Sequence, residues 1–279
     1  MDLQKQIREL TAVRGLSAAE TPIAEVLLEK LKKLGLRAKI DAFGNVHGMR
    51  RCEYSDAKTL LLEAHMDQIG LMVSGIDETG AVHFSNLGGV DERILPGMEV
   101  EILSSPPISG VIGALMPIGE KEEEKKNPKL TQYRIHTGLT AQEAKNRIRV
   151  GDWIQISGKT TELLHGRMSG SAMDNRAGVA AILACLEELQ SCPLPYHVSV
   201  LFSTQEELGL HGAYPGVPRM KADAAIAVDV THGETPDTQG EPGVFPLGCG
   251  AVICRGPNLH YEYTKQLIRL AKQSGVSHE

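Results

Sequence analysis

The chain has 279 residues, 42% of them hydrophobic and 23% charged, which is enough length and apolar content for a large core in one domain or two. Its formal net charge of -6 at pH 7 excludes the basic footprint of a nucleic-acid partner. No stretch approaches the roughly 20 apolar residues of a membrane span, and Met1 opens a polar segment unlike a signal peptide.

Leu3, Ile7 and Leu10 are spaced for one face of a first helix. A second is expected to start at Thr21-Pro22, with Thr21 as N-cap and Pro22 at the first helical position, to carry the stripe Ile23, Leu27, Leu31 and Leu34, and to stop at Gly35. Arg37 to Asp41 and Asn45 to Met49 are short strands around a Phe43-Gly44 turn. Thr59 to Ala64 is a buried strand that delivers His65-Met66-Asp67 at its C-terminal end. From about Leu71 to Gly158 the texture changes. Short strands (71–76, 81–84, 100–103, 110–115, 153–157) alternate with Gly, Pro and Asp turns, the pattern of a small β-barrel or sandwich. One helix interrupts them, announced by the capping box Thr140-Ala141-Gln142-Glu143. The mixed-sign run Lys121 to Lys126 reads as an exposed loop. After Gly166 helices and strands alternate again: helix from Asn175 to Leu189 with Val179, Ile182, Leu183 and Leu186 on one face, strands at 196–202 and 224–228, and a last helix from Tyr261 to Ser274. The expected architecture is an α/β domain (1–70 and 159–279) with a central sheet flanked by helices, interrupted by an inserted small β domain (71–158). The five cysteines are odd in number and lack a C-x-x-C spacing, which argues against disulfides and thiolate zinc sites and for a reducing cytoplasm. Cys185 is expected in the core.

Chemistry-bearing residues fall at related places in this pattern. His65 and Asp67 follow one strand, Asp174 stands before a helix, the adjacent Glu206 and Glu207 follow a second strand, and Asp229 follows a third. In open α/β sheets ligands bind beyond the carboxyl ends of the strands, so these side chains can converge there. Singly each has an ordinary reading: Asp174 as an N-cap, His65 as a core histidine, Asp229 as a turn residue, Glu206-Glu207 as a solvated pair. Together their carboxylates would repel one another unless divalent cations sat among them. Imidazole plus carboxylates without thiolate suits Zn²⁺, Co²⁺ or Mn²⁺, and points to a metal-assisted hydrolase.

The stretches Ala64-His65-Met66-Asp67-Gln68-Ile69-Gly70, Met173-Asp174-Asn175-Arg176-Ala177-Gly178, Gln205-Glu206-Glu207-Leu208-Gly209 and Val228-Asp229-Val230-Thr231-His232 resemble, in order, those of the tetrahedral aminopeptidases. These are cocatalytic metallopeptidases that include glutamyl and deblocking aminopeptidases. The likeness extends from the N-terminus to about Gln273 and takes in Gly88-Gly89 and Leu247 to Gly250. It implies two divalent metals, one held by His65 and Asp229, the other by Glu207, with Asp174 bridging. It further implies that Asp67 orients His65, that Glu206 is the general base, and that the bond after Asp174 is cis. The implied reaction removes N-terminal residues from peptides. The inserted β domain corresponds to the family's oligomerisation domain, and the family commonly forms a hollow dodecamer.

The sequence departs from that pattern at its end. The family completes its second metal site with a histidine from a C-terminal strand region. Here the sequence stops at Glu279, with His278 too early to match and His232 part of the turn after Asp229. On this reading the chain is C-terminally truncated, retains one three-ligand site and one two-ligand site, and is nearly inactive. Two other classes stay open: a catalytically impaired assembly subunit, and a dinuclear amidohydrolase or carboxypeptidase-like enzyme using the same metal set.

Overall fold

The computed structural model describes residues 2–114, 130–236 and 238–279. The run Lys121 to Lys126 lies outside the described residues. The chain forms two compact units, Met1–Asp229 and Val230–Glu279.

In the first unit, helices α1 (Leu3–Thr11) and α2 (Thr21–Lys33) precede strands β1 (Arg37–Ile40), β2 (Val46–Arg50) and β3 (Thr59–His65). Helix α2 starts one residue earlier than the sequence suggests. Its N-cap is Glu20, not Thr21, and the Glu20 side chain makes no capping bond to its own helix. It accepts N–H groups from elsewhere, which a local motif cannot reveal. Gly35, at φ 82°, ends α2 in the left-handed conformation that glycine adopts without steric cost. Six strands then close into a barrel: β4 (Gly70–Ile76), β5 (Val82–Leu87), β6 (Glu99–Ile102), β7 (Ile108–Ala114), β8 (Tyr133–His136) and β9 (Trp153–Ile156), in the order β4-β5-β8-β7-β6-β9. Helix α3 (Ala141–Arg147) enters from Thr140 with both bonds of the capping box in place. The inward side chains of the alternating strands, among them Leu71, Val82, Val100, Ile112, Ile135 and Ile154, fill the barrel as a core of its own.

After the barrel come the two-residue strands β10 (Thr161–Glu162) and β11 (Met168–Ser169), helix α4 (Met173–Leu189), strand β12 (His197–Ser203), helix α5 (Ala213–Met220) and strand β13 (Ala224–Ala227). The second sheet runs β1-β2-β12-β3-β13, with β12 antiparallel to β2 but parallel to β3, and β13 parallel to β3. Period-two alternation explains how β12 is buried along its whole length. Val198, Val200 and Phe202 join the core made with Leu10, Ile23, Leu27, Leu31, Val179 and Leu183 of α1, α2 and α4, while Leu201, on the other face, meets Gly216 of α5. Each such side chain contributes about 1.5–3 kcal/mol by leaving water. Cys185 corrects its expectation. It is exposed, because it lies off the Val179, Ile182, Leu183 and Leu186 stripe of α4. Helix α5 escapes sequence reading because Pro215 and Pro218 disguise it.

The second unit contains helix α6 (Tyr261–Gln273), whose first turn is capped by the His260 ring accepting the Tyr263 N–H, and two isolated bridges, Gly233 with Phe245 and Ala251 with His278.

Candidate metal centre

Three parallel strands end side by side. His65, the last residue of β3, is in register with Ser203, the last of β12, and the Met66 N–H donates to the Ser203 carbonyl at 2.9 Å. Strand β13 pairs Ala227 with Glu63, and the following Val228 N–H donates to the Glu63 carbonyl at 2.8 Å. The residues that follow, Asp67, Glu206, Glu207 and Asp229, therefore leave the sheet together at its carboxyl edge.

The start of α4 is fastened to the same edge by three consecutive residues. Asp174 Oδ1 lies 2.9 Å from His65 Nε2. The buried Asn175 donates its amide to the Val228 carbonyl at 2.8 Å and accepts the Gly178 N–H at 3.1 Å. A Cβ at Gly178 would collide with both the Asn175 amide and the Val228 carbonyl, so glycine is required there. Arg176, fully buried, donates Nε to the Met66 carbonyl and Nη1 to the Leu10 carbonyl, each at 2.7 Å. The Asp174–Asn175 peptide bond is cis.

His65 is the floor of the site, with its side chain 2% exposed, and Asp174 and Asp229 form a rim, at 59% and 52%. Besides Asp174, His65 Nε2 has Glu206 Oε2 and Asp229 Oδ1 each at 3.9 Å. Its Nδ1 lies 3.3 Å from Asp67 Oδ1, close enough for ion-pair attraction but off the line of a hydrogen bond. Asp67 is completely buried. It accepts the Ser17 hydroxyl at 2.5 Å and the Glu206 and Glu207 N–H groups at 3.0 and 3.3 Å. Burial works to raise its pKa, but the neighbouring imidazole and these donors outweigh burial and hold the carboxyl below its usual range.

The other groups report crowding of negative charge. Burial pulls the His65 imidazolium down, but Asp174, Asp67 and Asp229 overcome it and hold its pKa up at about 10. Burial, then the charge of Asp174, pushes Glu207 up to about 7. Glu206 is raised for the same reasons, burial first and then Asp229, Asp67 and Asp174 against the pull of His65. Glu63, half-buried and bonded to the Ser203 hydroxyl at 2.7 Å, is raised by desolvation. A proton on His65 offsets this excess, and a divalent cation would offset it in the same place. Two ligand sets have all their donor atoms within 4.8 Å of one another, His65 with Asp174 and Asp229, and His65 with Glu206 and Glu207. One imidazole and three or more carboxylates fit Zn²⁺, Co²⁺ or Mn²⁺ by donor chemistry.

All six residues singled out in the sequence are thus within one cluster. The supporting residues Ser17, Glu20 and Glu63 were not singled out, and Asn175 entered as the residue after the expected cis bond, without a supporting role. Ser17 and Glu20 come from the turn before α2, far away in the chain, and no spacing rule connects them to Asp67 or Gln205.

Comparison with known proteins gives the same direction. The lysyl aminopeptidase of Pyrococcus furiosus is 27% identical over 278 residues, covering 98% of this chain and 78% of that one. The structure of an aminopeptidase from the archaeon Desulfurococcus kamchatkensis superposes with a TM-score of 0.91 at 30% identity, over 99% of this chain and 78% of that one. The Pyrococcus horikoshii TET1 peptidase, which can assemble into a tetrahedron or a large octahedral shell, superposes with a TM-score of 0.85 at 26% identity, over 99% and 83%. A match that starts at residue 44 and continues to residue 279 takes in His65 and every carboxylate around it, and by it the chain belongs to the M42 glutamyl aminopeptidase family, a family of metal-dependent aminopeptidases.

Proposed function

We propose that the chain removes N-terminal residues from peptides at the cluster around His65, using two divalent cations. His65, Asp174 and Asp229 would hold one. Glu207 would hold the other, with Asp174 shared between them, and Asp67 would position both His65 and the backbone of the two glutamates. The observation that carries this reading is the set of carboxylates gathered about His65 Nε2, Asp174 at 2.9 Å and Glu206 and Asp229 at 3.9 Å, beyond the ends of three parallel strands.

Bound cations would supply Lewis-acid polarisation of the scissile carbonyl and acidify water. Glu206 would do the proton work. Its carboxylate is part-exposed and its pKa is raised, which suits a base that must also act as an acid. It would take a proton from the attacking water as the new C–O bond forms. It would return that proton to the leaving nitrogen as the C–N bond breaks, so one water is consumed per bond and the carboxylate is regenerated. Glu206 also falls in a ligand set with Glu207 and His65, so ligand and base are alternatives for it. In an active form of the enzyme Glu206→Gln distinguishes them: turnover of an aminoacyl-nitroanilide should fall about 10²–10⁴-fold with metal content nearly unchanged. Metal loss equal to that of Glu207→Gln would show Glu206 to be a ligand. Cleavage of N-acylated substrates in preference to free amines would favour an amidohydrolase.

The closed barrel, inserted as residues 71–158 between the two parts of the α/β domain, would be the self-association element. The free thiols and the absence of a helix long and apolar enough to cross a membrane among the described residues fit a cytoplasmic enzyme.

A further inference from the structure

We propose that Glu20 is a positioning residue for the site: its buried carboxylate holds the backbone of Gln205 and so sets the direction in which Glu206 and Glu207 leave β12. The proposal rests on the reading of Glu206 as the base. After Ser203 the chain leaves the sheet, and four consecutive N–H groups lose their strand partners. Each is taken by a side-chain oxygen from elsewhere. Asn45 Oδ1 accepts Thr204 at 3.0 Å, Glu20 Oε1 accepts Gln205 at 3.0 Å, and the two oxygens of Asp67 accept Glu206 and Glu207 at 3.0 and 3.3 Å. Without these acceptors the N–H groups would be left unpaired in a part-buried turn.

Glu20 holds the position with least local support. Gln205 has φ 51°, the left-handed region that a residue with a side chain adopts only when its surroundings impose it. The same Glu20 oxygen accepts the Ala18 N–H at 2.9 Å, and Ala18 is also left-handed, at φ 67°. One carboxylate oxygen therefore ties together two turns that would otherwise be disfavoured, one before α2 and one carrying the site. The residue stands at the N-cap of α2, where a short polar side chain such as Asp or Ser ordinarily caps its own helix, and it makes no such bond. Its bonding capacity goes to the loop instead. It is 6% exposed, so water does not supply a substitute acceptor, and Arg176 supplies opposite charge to Glu20 and Asp67 alike. The neck of the loop is closed separately, by the Asn45 amide donating to the Gly212 carbonyl at 3.0 Å and by Gly212 N–H donating to the Thr204 carbonyl at 3.0 Å. Loss of Glu20 should therefore loosen the tip at Gln205 and Glu206 while the neck persists.

The test compares Glu20→Ala, which removes the acceptor, with Glu20→Gln, which keeps a carbonyl oxygen and removes the charge, in the full chain loaded with Zn²⁺ or Co²⁺. Amide hydrogen exchange over residues 203–209 is read against the barrel strands, together with bound metal and with kcat and KM on an aminoacyl-nitroanilide. For Glu20→Ala, exchange in 203–209 should rise at least tenfold with the barrel unchanged. Bound metal should be retained, and kcat should fall about 10- to 100-fold with KM within threefold, less than the full loss of a general base. Glu20→Gln should stay within threefold of the parent in both exchange and kcat. Unchanged exchange in Glu20→Ala overturns the proposal, and so does a Gln variant as impaired as the Ala variant, or a rise in exchange spread equally over the barrel. If Glu206→Gln remains active while Glu20→Ala loosens only 203–209, the base assignment fails and the loop-holding role stands.

Discussion

Replacing Arg176 by methionine tests how the buried part of the site is held together. The guanidinium has no exposure and donates to the carbonyls of Met66 and Leu10 at 2.7 Å and of Val13 at 3.3 Å. Leu10 and Val13 lie in the last turn of α1 and just after it, where carbonyls lack intrahelical partners and the helix dipole is negative. Burial pulls the Arg176 pKa down to about 10, with Asp67 and Glu20 opposing, so the group stays charged at neutral pH. Hydrogen bonds to a charged group contribute about 1.5–3 kcal/mol each. Methionine fills much of the same volume but leaves the Met66 and Val13 carbonyls without a donor, Leu10 keeping the Val13 N–H at 3.2 Å, and leaves Asp67 and Glu20 without the positive charge near them. Removing a buried, hydrogen-bonded charge that offsets others costs up to roughly 3–5 kcal/mol, a large share of the 5–15 kcal/mol typical of a domain. At about 2–4 °C per kcal/mol for a chain of this size, Tm should fall by roughly 6–20 °C in a calorimetric scan of the metal-free protein. Arg176→Lys should lose less, since the charge stays and at least one carbonyl keeps a donor. A loss below 1 kcal/mol for Arg176→Met would mean that water or a backbone shift serves those carbonyls, and the reasoning would fail.

Asp77 accepts the Thr79 hydroxyl and N–H and the Ala81 N–H in the β4–β5 turn, and these bonds, the hydroxyl first, hold its pKa at about 2. A carboxyl whose folded pKa lies below its unfolded value contributes stability above about pH 3.8 that is lost as pH falls toward 2. Asp77→Ala should therefore flatten the acid-unfolding profile between those pH values, seen by circular dichroism. Thr140→Ala removes one half of the capping box of α3 and should cost about 1 kcal/mol in urea unfolding, with no change in metal content. Replacing residues 71–158 by a short Gly linker should give a smaller particle by light scattering, and an unchanged number of subunits would place the interface elsewhere.

What the sequence made legible was whatever is written locally. The capping box at Thr140, the stop at Gly35, and the apolar stretches of β3 and β12 are each contained within a few residues, and their periodicity is dictated by the element they build. The convergence of His65, Asp174, Glu206, Glu207 and Asp229 could be anticipated because parallel strands bring their carboxyl ends to one edge whatever the loops do. Strand β8 went unrecognised because its four residues, Tyr133 to His136, alternate with Arg134 and follow a polar run. Glu20 was passed over for a different reason. A Glu ahead of Thr-Pro looks like the residue before a cap, and only the fold brings Gln205 within 3.0 Å of it.

The cluster has a division of labour that follows from exposure. The groups that fix geometry are buried and paired: Asp67 by Ser17 and two N–H groups, Arg176 by carbonyls, Asn175 by Val228 and Gly178. The groups that face solvent, Asp174, Asp229 and Glu206, keep between about a third and three-fifths of their side chains open. Asp67 connects the two sets. One of its oxygens lies 3.3 Å from His65 Nδ1 and also accepts the Glu206 N–H at 3.0 Å, so a single carboxylate both attracts the imidazole and holds the backbone from which the Glu206 side chain starts. Any motion that separates β3 from the loop after β12 must break that pair of contacts and leave a buried negative charge short of partners. The cost of a buried charge without partners keeps His65 and Glu206 in register even before a metal binds.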